Sequence, residues 1–531
     1  MLRRTVLLLF AAGTLVTSTA WAGDPPPPPA ANPLEQSIAE LRINDPRWLD
    51  RILTRFAGAF GIDDRPLRRH VARRLFHCRD LDGVDLSRPI LVAWRPNRVP
   101  FLAIIPVGKR VAFVDGFGAT VEGESPMVRV GDRDGSVVYT QTDAGGLREY
   151  RLLVSDNTAY FAPTVAECRA LASAGMPPAG ANPAPLVFRS RGRSPLLGQI
   201  ATDLSGAAAA LPGQQLITAF SGLDPWSDLS SQVALLQIEL RPAGDDAIAL
   251  SGYLTPRLDT ALAAWLGVQR NAANRLLPSL PRDGAAIAAW WNIDWQGALS
   301  ALNERTLPTL RRMAKSPWSD TVEDGFRQAF SLSDRSPSGA LVVVAKPRGA
   351  AAVTVIEQSR ATELAQFISR SSAAVAGSLG EPVAIGSIEG QRVRSAMTGP
   401  DGKAVVMDQV VVGTERHCIQ AQDDSGGDAA VLVSAAVDRL VQAIPLPGSP
   451  GLAGLRIDCT AIVRAQLPAE RITETELPPA VIDAFLAVAA SGDRLTLKAD
   501  IPVIAIGQAG NVLAVERRGV KPPTEPDPRR R

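Results

Sequence analysis

Two periods of apolar residues run through the chain. Runs rich in Val, Ile and Leu at 91–107, 341–356 and 495–506 have the length and β-branched content of strands. "ATELAQFISRSSAAVAGSL" (361–379) and "LDTALAAWLG" (258–267) instead repeat their apolar positions at helical spacing. Twice, an alternating run ends at an aspartate and passes into a helical pattern: "ELRINDPRWLDRIL" (40–53) and "AWWNIDWQGALSAL" (289–302). Each reads as a strand and then a helix, N-capped by Asp45 or Asp294, whose carboxylate accepts from an otherwise unpaired backbone N–H. Pro46 suits the first helical turn, where its missing N–H has no partner to lose. Asp134-Gly135 and Asp401-Gly402, each between strand-like runs, supply the positive φ angles of tight hairpin turns. Strands and helices mix without regular alternation, so the expected class is α+β with antiparallel hairpins.

The second half echoes the first at an offset of roughly 250 residues, the signature of an internal repeat. Beside the pair above, "SRPILVAWRP" (87–96) matches "PSGALVVVAKP" (337–347), and "MVRVGDRDGSVVYTQ" (127–141) matches "VRSAMTGPDGKAVVMDQ" (393–409). A Pro/Gly-rich connector at 175–185 then matches 444–454, and 233–256 matches 483–502. Five matches in one order predict two tandem homologous domains, 35–270 and 275–515, each with room for two lobes joined by the connector.

The stretch "AIAAWWNIDWQGAL" (286–299) holds Trp290, Trp291 and Trp295. With Asp45 set against Asp294, Trp290 falls opposite Leu41 and reads as core. Trp291 falls opposite Arg42, so its surroundings differ between the halves. Trp291 is therefore the candidate binding residue, with a domain-interface role as the equal alternative.

The ends of the chain place it. Arg3 and Arg4, an apolar run over Val6–Val16 and Ala20-Trp21-Ala22 make the three parts of a signal peptide (1–22) cleaved near Ala22. The run is short of the roughly 20 residues of a membrane span, and no later apolar segment reaches that length. A Pro-rich spacer (23–34) and a polar tail (516–531) flank the domains. The expected location is the periplasm or the exterior, with no transmembrane segment in the mature chain. Cleavage removes two of the 56 basic residues and none of the 54 acidic ones. The balanced chain that remains has no global field to draw nucleic acid.

In an oxidising compartment the four cysteines are disulfide candidates, with Cys78–Cys168 and Cys418–Cys459 favoured because each pair stays within one half, and four buried free thiols as the alternative. There is no CxxC. His70, His77 and Cys78 on one basic helix (68–79) suggest a metal only superficially, since neighbouring positions 77 and 78 do not converge on one ion. The arginines of that helix read as a solvated face meeting Asp63, Asp64, Asp80 and Asp82, with an anionic glycan or phosphate as the alternative partner. No GxSxG, SxxK, Walker loop or GxGxxG occurs, and "GDRDGS" (131–136) lacks the later ligands of a calcium loop. No catalytic residue, metal or cofactor is assigned.

On "NIDWQGALSAL", "LVVVAKP" and "DRLTLKADIP" the layout resembles a loose group of exported bacterial proteins of unknown function, built of recurring strand–Asp–helix and hairpin units. The resemblance transfers no functional residue. The expected function is a non-catalytic binding or scaffolding role in the cell envelope, with a protein, peptide or lipid partner. An envelope hydrolase with an unrecognised site and a carrier of an apolar ligand are the alternatives.

Overall fold

The structure is a computed structural model. It describes residues 33–517 apart from 96–101, 119–126, 144–145, 179–182, 192–231, 281–283, 295–330, 333–337, 348, 378, 399–403, 442–449 and 469–475. The expected signal peptide, Trp295, the helix expected after Asp294, Asp401-Gly402, the expected spacer up to residue 32 and the tail beyond 517 lie outside the described residues. The chain divides into two compact units, Met1–Ala243 with Ile248–Arg257 and Gly244–Ala247 with Leu258–Arg531. Both mix helices with antiparallel strands, an α+β construction.

In the first unit, alternation places Ala39, Leu41 and Ile43 of β1 (Ala39–Ile43) on a buried face and Glu40 and Arg42 on the other. Asp45 caps α1 (Pro46–Phe60), its Oδ1 accepting from Trp48 N at 2.9 Å, and Gly61 ends the helix at φ 73°. Then follow α2 (Asp64–Phe76), β2 (Ile90–Trp94), β3 (Leu102–Pro106), α3 (Arg110–Gly116), β4 (Met127–Arg133) and β5 (Ser136–Asp143). The unit continues with β6 (Gly146–Ser155), β7 (Thr158–Ala162), α4 (Val165–Ala174), β8 (Leu186–Ser190), β9 (Val233–Pro242) and β10 (Ile248–Pro256). Asp134 and Asp156-Asn157 join their hairpins with positive φ, Gly135 completing the first at φ 74°. The strand order is β4-β5-β6-β7-β3-β2-β1-β8-β9-β10, antiparallel throughout.

One face of this sheet is covered by α1, α2 and α3, whose Leu53, Val71, Phe76 and Phe113 pack on Leu41, Ile43, Val92 and Ile105. The other carries α4, with Cys168 and Leu171 on Leu91, Ala93 and Ile104. The basic helix α2 behaves as a solvated face in part: Arg68 pairs with Asp50 at 2.7 Å and Asp64 at 4.0 Å, and Arg79, past its end, with Asp80 at 3.3 Å.

The second unit opens with α5 (Ala261–Val268), then β11 (Ala285–Asn292), β12 (Ser338–Lys346), β13 (Gly349–Glu357), α6 (Ala361–Ala376), β14 (Glu381–Ile385), β15 (Ile388–Thr398) and β16 (Ala404–Gly413). It closes with β17 (His417–Asp423), α7 (Ala429–Val441), β18 (Ala453–Asp458), α8 (Cys459–Gln466), β19 (Val481–Val488), β20 (Leu495–Ile501) and α9 (Val503–Arg517). The strand expected over 495–506 thus stops at Ile501, and Pro502 leads into α9. Here the order is β14-β15-β16-β17-β13-β12-β11-β18-β19-β20. Counted along each chain segment, this is the same ten-strand sequence as in the first unit. Again α6 packs on one face, with Leu364 and Ala365 against Ile356, Val411 and Cys418. Helix α7 packs on the other, with Val433 and Ala436 among Ala340, Val342, Val355 and Val412.

Hydrogen bonding fixes which residues correspond. Asn44 N donates to Pro185 O at 2.7 Å just before β8, and Asn292 N donates to Leu452 O at 2.7 Å just before β18. Asn44 therefore answers to Asn292, Ile43 to Trp291 and Arg42 to Trp290. The alignment of Asp45 with Asp294 holds only if Ile293 is an extra residue. Read without that insertion it slips the strand by one and exchanges its faces. The two Asp-Gly pairs also do not correspond. Asp134-Gly135 joins the fourth and fifth strands, whereas 401–402 lies between the fifth and sixth. The turn equivalent to Asp134-Gly135 is Gly386-Ser387, with Gly386 at φ 60°.

The four cysteines are free and buried, which corrects the expected disulfides. Cys78 lies in the core on the α1–α3 face and Cys168 in the core on the α4 face, so a sheet separates them. Cys418 is held under α6, and Cys459 is the first residue of α8.

Candidate functional site

The face of the first unit that carries Arg42 holds a groove of about 240 Å³ beside the Pro-rich connector. Three strands build it by alternation: β1 contributes Glu40 and Arg42, β8 contributes Val187 and Arg189, and β9 contributes Glu239 and Arg241. Register sets these side chains in rows, with Arg42 opposite Val187 and Val187 opposite Glu239. In the adjoining row Glu40 faces Arg189 and Arg189 faces Gln237. Pro177, Pro178 and Pro183 form the wall.

The polar groups are tied to one another. Arg42 Nε donates to Asn44 Oδ1 at 2.7 Å and its Nη1 to Pro178 O at 3.1 Å, while Asn44 Nδ2 donates to Ala184 O at 2.7 Å. Arg189 Nε at 2.7 Å and Tyr253 OH at 3.0 Å both donate to Gln237 Oε1, and Gln237 Nε2 donates to Glu239 Oε1 at 2.7 Å. Arg241 pairs with the other Glu239 oxygen at 3.0 Å. Among the described residues no carboxylate stands within ion-pair distance of Arg42 or Arg189. Burial, and after it the nearby Arg189 charge, lowers the Arg42 guanidinium from its ordinary value, with Glu40 pulling the other way.

In the second unit the row equivalent to Arg42, Val187 and Glu239 is covered by a ring, while in the adjoining row Arg456 and Asp483 stand where Arg189 and Gln237 do and pair at 3.3 Å. Trp290 stands where Arg42 stands, Gly454 where Val187 does and Phe485 where Glu239 does. The Trp290 indole lies across Gly454: a β-carbon there would sit 2.2 Å from Trp290 Nε1. The ring continues to Phe485, with centroids 5.9 Å apart and planes at 58°. A charged row on one unit is an apolar one on the other.

Trp291, the candidate from sequence, lies on the opposite face. Its indole covers Gly339, where a β-carbon would come within 2.1 Å of the ring, and its carbonyl accepts from Asn274 at 3.3 Å. Its counterpart is the fully buried Ile43, while Trp291 itself is half-buried. The groove residues were missed because they are spread over 200 positions with no local motif. The available signal was the polar period-two pattern in "ELRIN" and "LQIELRP".

His70, His77 and Cys78 do not assemble a centre: His77 is the left-handed cap of α2, and Cys78 bridges to Phe117. Among the described residues no three His, Cys, Asp or Glu side chains group to hold a metal. Burial raises all four thiols, Cys168 and Cys418 to about 12 and Cys459 to about 11, which leaves them protonated and unreactive at neutral pH. Among the described residues no helix is long and apolar enough to cross a membrane.

No protein-family model, no curated protein and no solved structure matches the chain.

Proposed function

We propose that the chain is a tandem duplication of one α+β domain, exported to the cell envelope, in which the first copy binds a ligand non-catalytically and the second copy serves as scaffold. The identical strand order of the two units supports the duplication. The observation that carries the binding reading is the asymmetry at one equivalent position. Arg42, Val187 and Glu239 line a groove in the first unit, and Trp290, Gly454 and Phe485 close the same place in the second. A repeated scaffold accounts for what the units share. It does not account for one row being polar in the first unit and apolar in the second, where burial of such polar groups is costly unless they are bonded.

The test is a thermal-shift and native mass spectrometry screen of the mature chain against peptide, lipid and glycan libraries, run in parallel on an Arg42→Leu/Arg189→Leu variant. Ligands that stabilise the wild type and not the variant support the reading. Binding that ignores the substitutions, or none at all, contradicts it. Turnover on a hydrolase panel that disappears in Glu40→Gln or Glu239→Gln would move the assignment to an envelope hydrolase.

A further inference from the structure

We infer that the groove takes the carboxylate of a monoanionic ligand with a small apolar body, the C-terminal residue of a peptide being the occupant that fits best. This rests on the binding reading above and adds the chemistry of the ligand. Charge comes first. The lining holds three arginines and two glutamates. Arg241 is paired with Glu239, which also accepts from Gln237. Arg42 and Arg189 are then left facing Glu40, one positive charge in excess. A single negative charge balances that excess. A phosphate dianion overshoots it and meets two carboxylates at close range.

Geometry points the same way. Arg42 is held by neutral acceptors, Asn44 Oδ1 and Pro178 O, which fix the plane of the guanidinium without neutralising it. Asn44 is fixed in turn through Ala184 O. A planar donor group oriented by a supporting shell matches the planar, two-oxygen form of a carboxylate. The non-polar lining, Leu91, Val187 and the three prolines, suits an aliphatic side chain or alkyl body. A volume of about 240 Å³ lies below the span of roughly 300–1,000 Å³ usual for whole drug-sized ligands, so it fits a residue-sized group.

The experiment is isothermal titration calorimetry on the full mature chain. The probes are an N-acetylated alanyl-leucyl-valine with a free C-terminus, the same peptide amidated, valerate and inorganic phosphate. The free-acid peptide is expected to bind, and amidation to weaken it by about tenfold or more. Arg42→Leu and Arg189→Leu should each weaken it by a similar factor, whereas Trp290→Phe in the other unit leaves it unchanged. Near-ultraviolet circular dichroism checks that each variant is folded. If valerate binds as tightly as the peptide, the carboxylate assignment holds and the source is a free acid rather than a chain end. Arg42-dependent binding of phosphate without binding of either carboxylate overturns this inference and leaves the groove reading standing. No Arg42-dependent heat from any probe removes the inference, and a blank library screen as well removes the reading beneath it.

Discussion

The sharpest energetic consequence lies in the second unit, at the contact between Trp290 and Gly454. Truncating a fully buried tryptophan to alanine costs about 3–5 kcal/mol. Trp290 is half-buried, which brings Trp290→Ala to about 2–3 kcal/mol, the Phe485 ring contact included. Gly454→Ala works in the opposite direction. Its new β-carbon would meet Trp290 Nε1 at 2.2 Å and Cε2 at 2.6 Å, so the ring must move, at an overpacking cost of about 1–3 kcal/mol. Once the indole is gone its three close contacts, at 2.2–3.0 Å, go with it, and the β-carbon restricts the unfolded chain for a gain of about 0.4–1 kcal/mol. The two substitutions should therefore couple by about 1.4–4 kcal/mol, well above the few tenths seen for independent sites. A two-unit chain need not unfold in one step, so the readout is local. It is hydrogen exchange by mass spectrometry on peptides covering Ala453–Asp458 and Val481–Val488, across a urea series. Additivity within about 0.5 kcal/mol would refute the packing argument and, with it, the claim that the second groove is closed by this ring.

Three further outcomes follow from the same structure. The buried thiols should resist a thiol reagent in the native protein, and all four should react in denaturant; prompt native reaction of two would show the burial to be wrong. Their raised folded values mean that the native state holds these protons more tightly than the unfolded chain. Stability is fully present below the unfolded thiol value of roughly 8.5 and declines as pH rises above it toward about 11–12, which a urea midpoint series from pH 7 to 10 measures. Asp408 is buried, meets Arg392 at 2.7 and 2.6 Å and accepts from Ala429 N at 2.9 Å at the start of α7. Its carboxyl stays below the ordinary value despite burial, through the Arg392 and Ala429 hydrogen bonds and the Arg392 charge. Asp408→Ala should cost about 3 kcal/mol, read by hydrogen exchange on peptides covering Ala404–Gly413 and Ala429–Val441 across a urea series, and abolish a stability contribution that the wild type loses as pH falls through the acid range. A loss under about 1 kcal/mol would contradict the assigned network.

Much of the fold was legible because it is written in periods. The apolar positions of 361–376 at helical spacing and the alternation in β1 and β9 lead directly to α6 and to two-faced strands. The misread strand register came from one residue. Asp45 and Asp294 look equivalent, but Ile293 intervenes in the second unit, and a slip of one along a strand exchanges inside for outside. That slip set Trp290 against Leu41 and Trp291 against Arg42, when Trp290 is the residue that replaces the arginine. The hairpin match failed for a related reason: Asp-Gly marks a turn type, and the chain uses such a turn between different strands in each unit. The cysteines were paired by position along the chain, which carries no information about the sheet lying between Cys78 and Cys168. The groove was invisible because Arg42, Arg189 and Glu239 become neighbours only when β1, β8 and β9 pair.

The central claim is that the two units are one fold repeated, with Arg42 and Trp290 at the same place in each. An experimental structure of the chain at side-chain resolution tests this most directly, by overlaying the two units strand for strand. The account predicts that β1–β10 superpose on β11–β20 in order, with Asn44 on Asn292 and the Arg42 Cα on that of Trp290. A different strand order, or an overlay that sets Leu41 on Trp290, would contradict it.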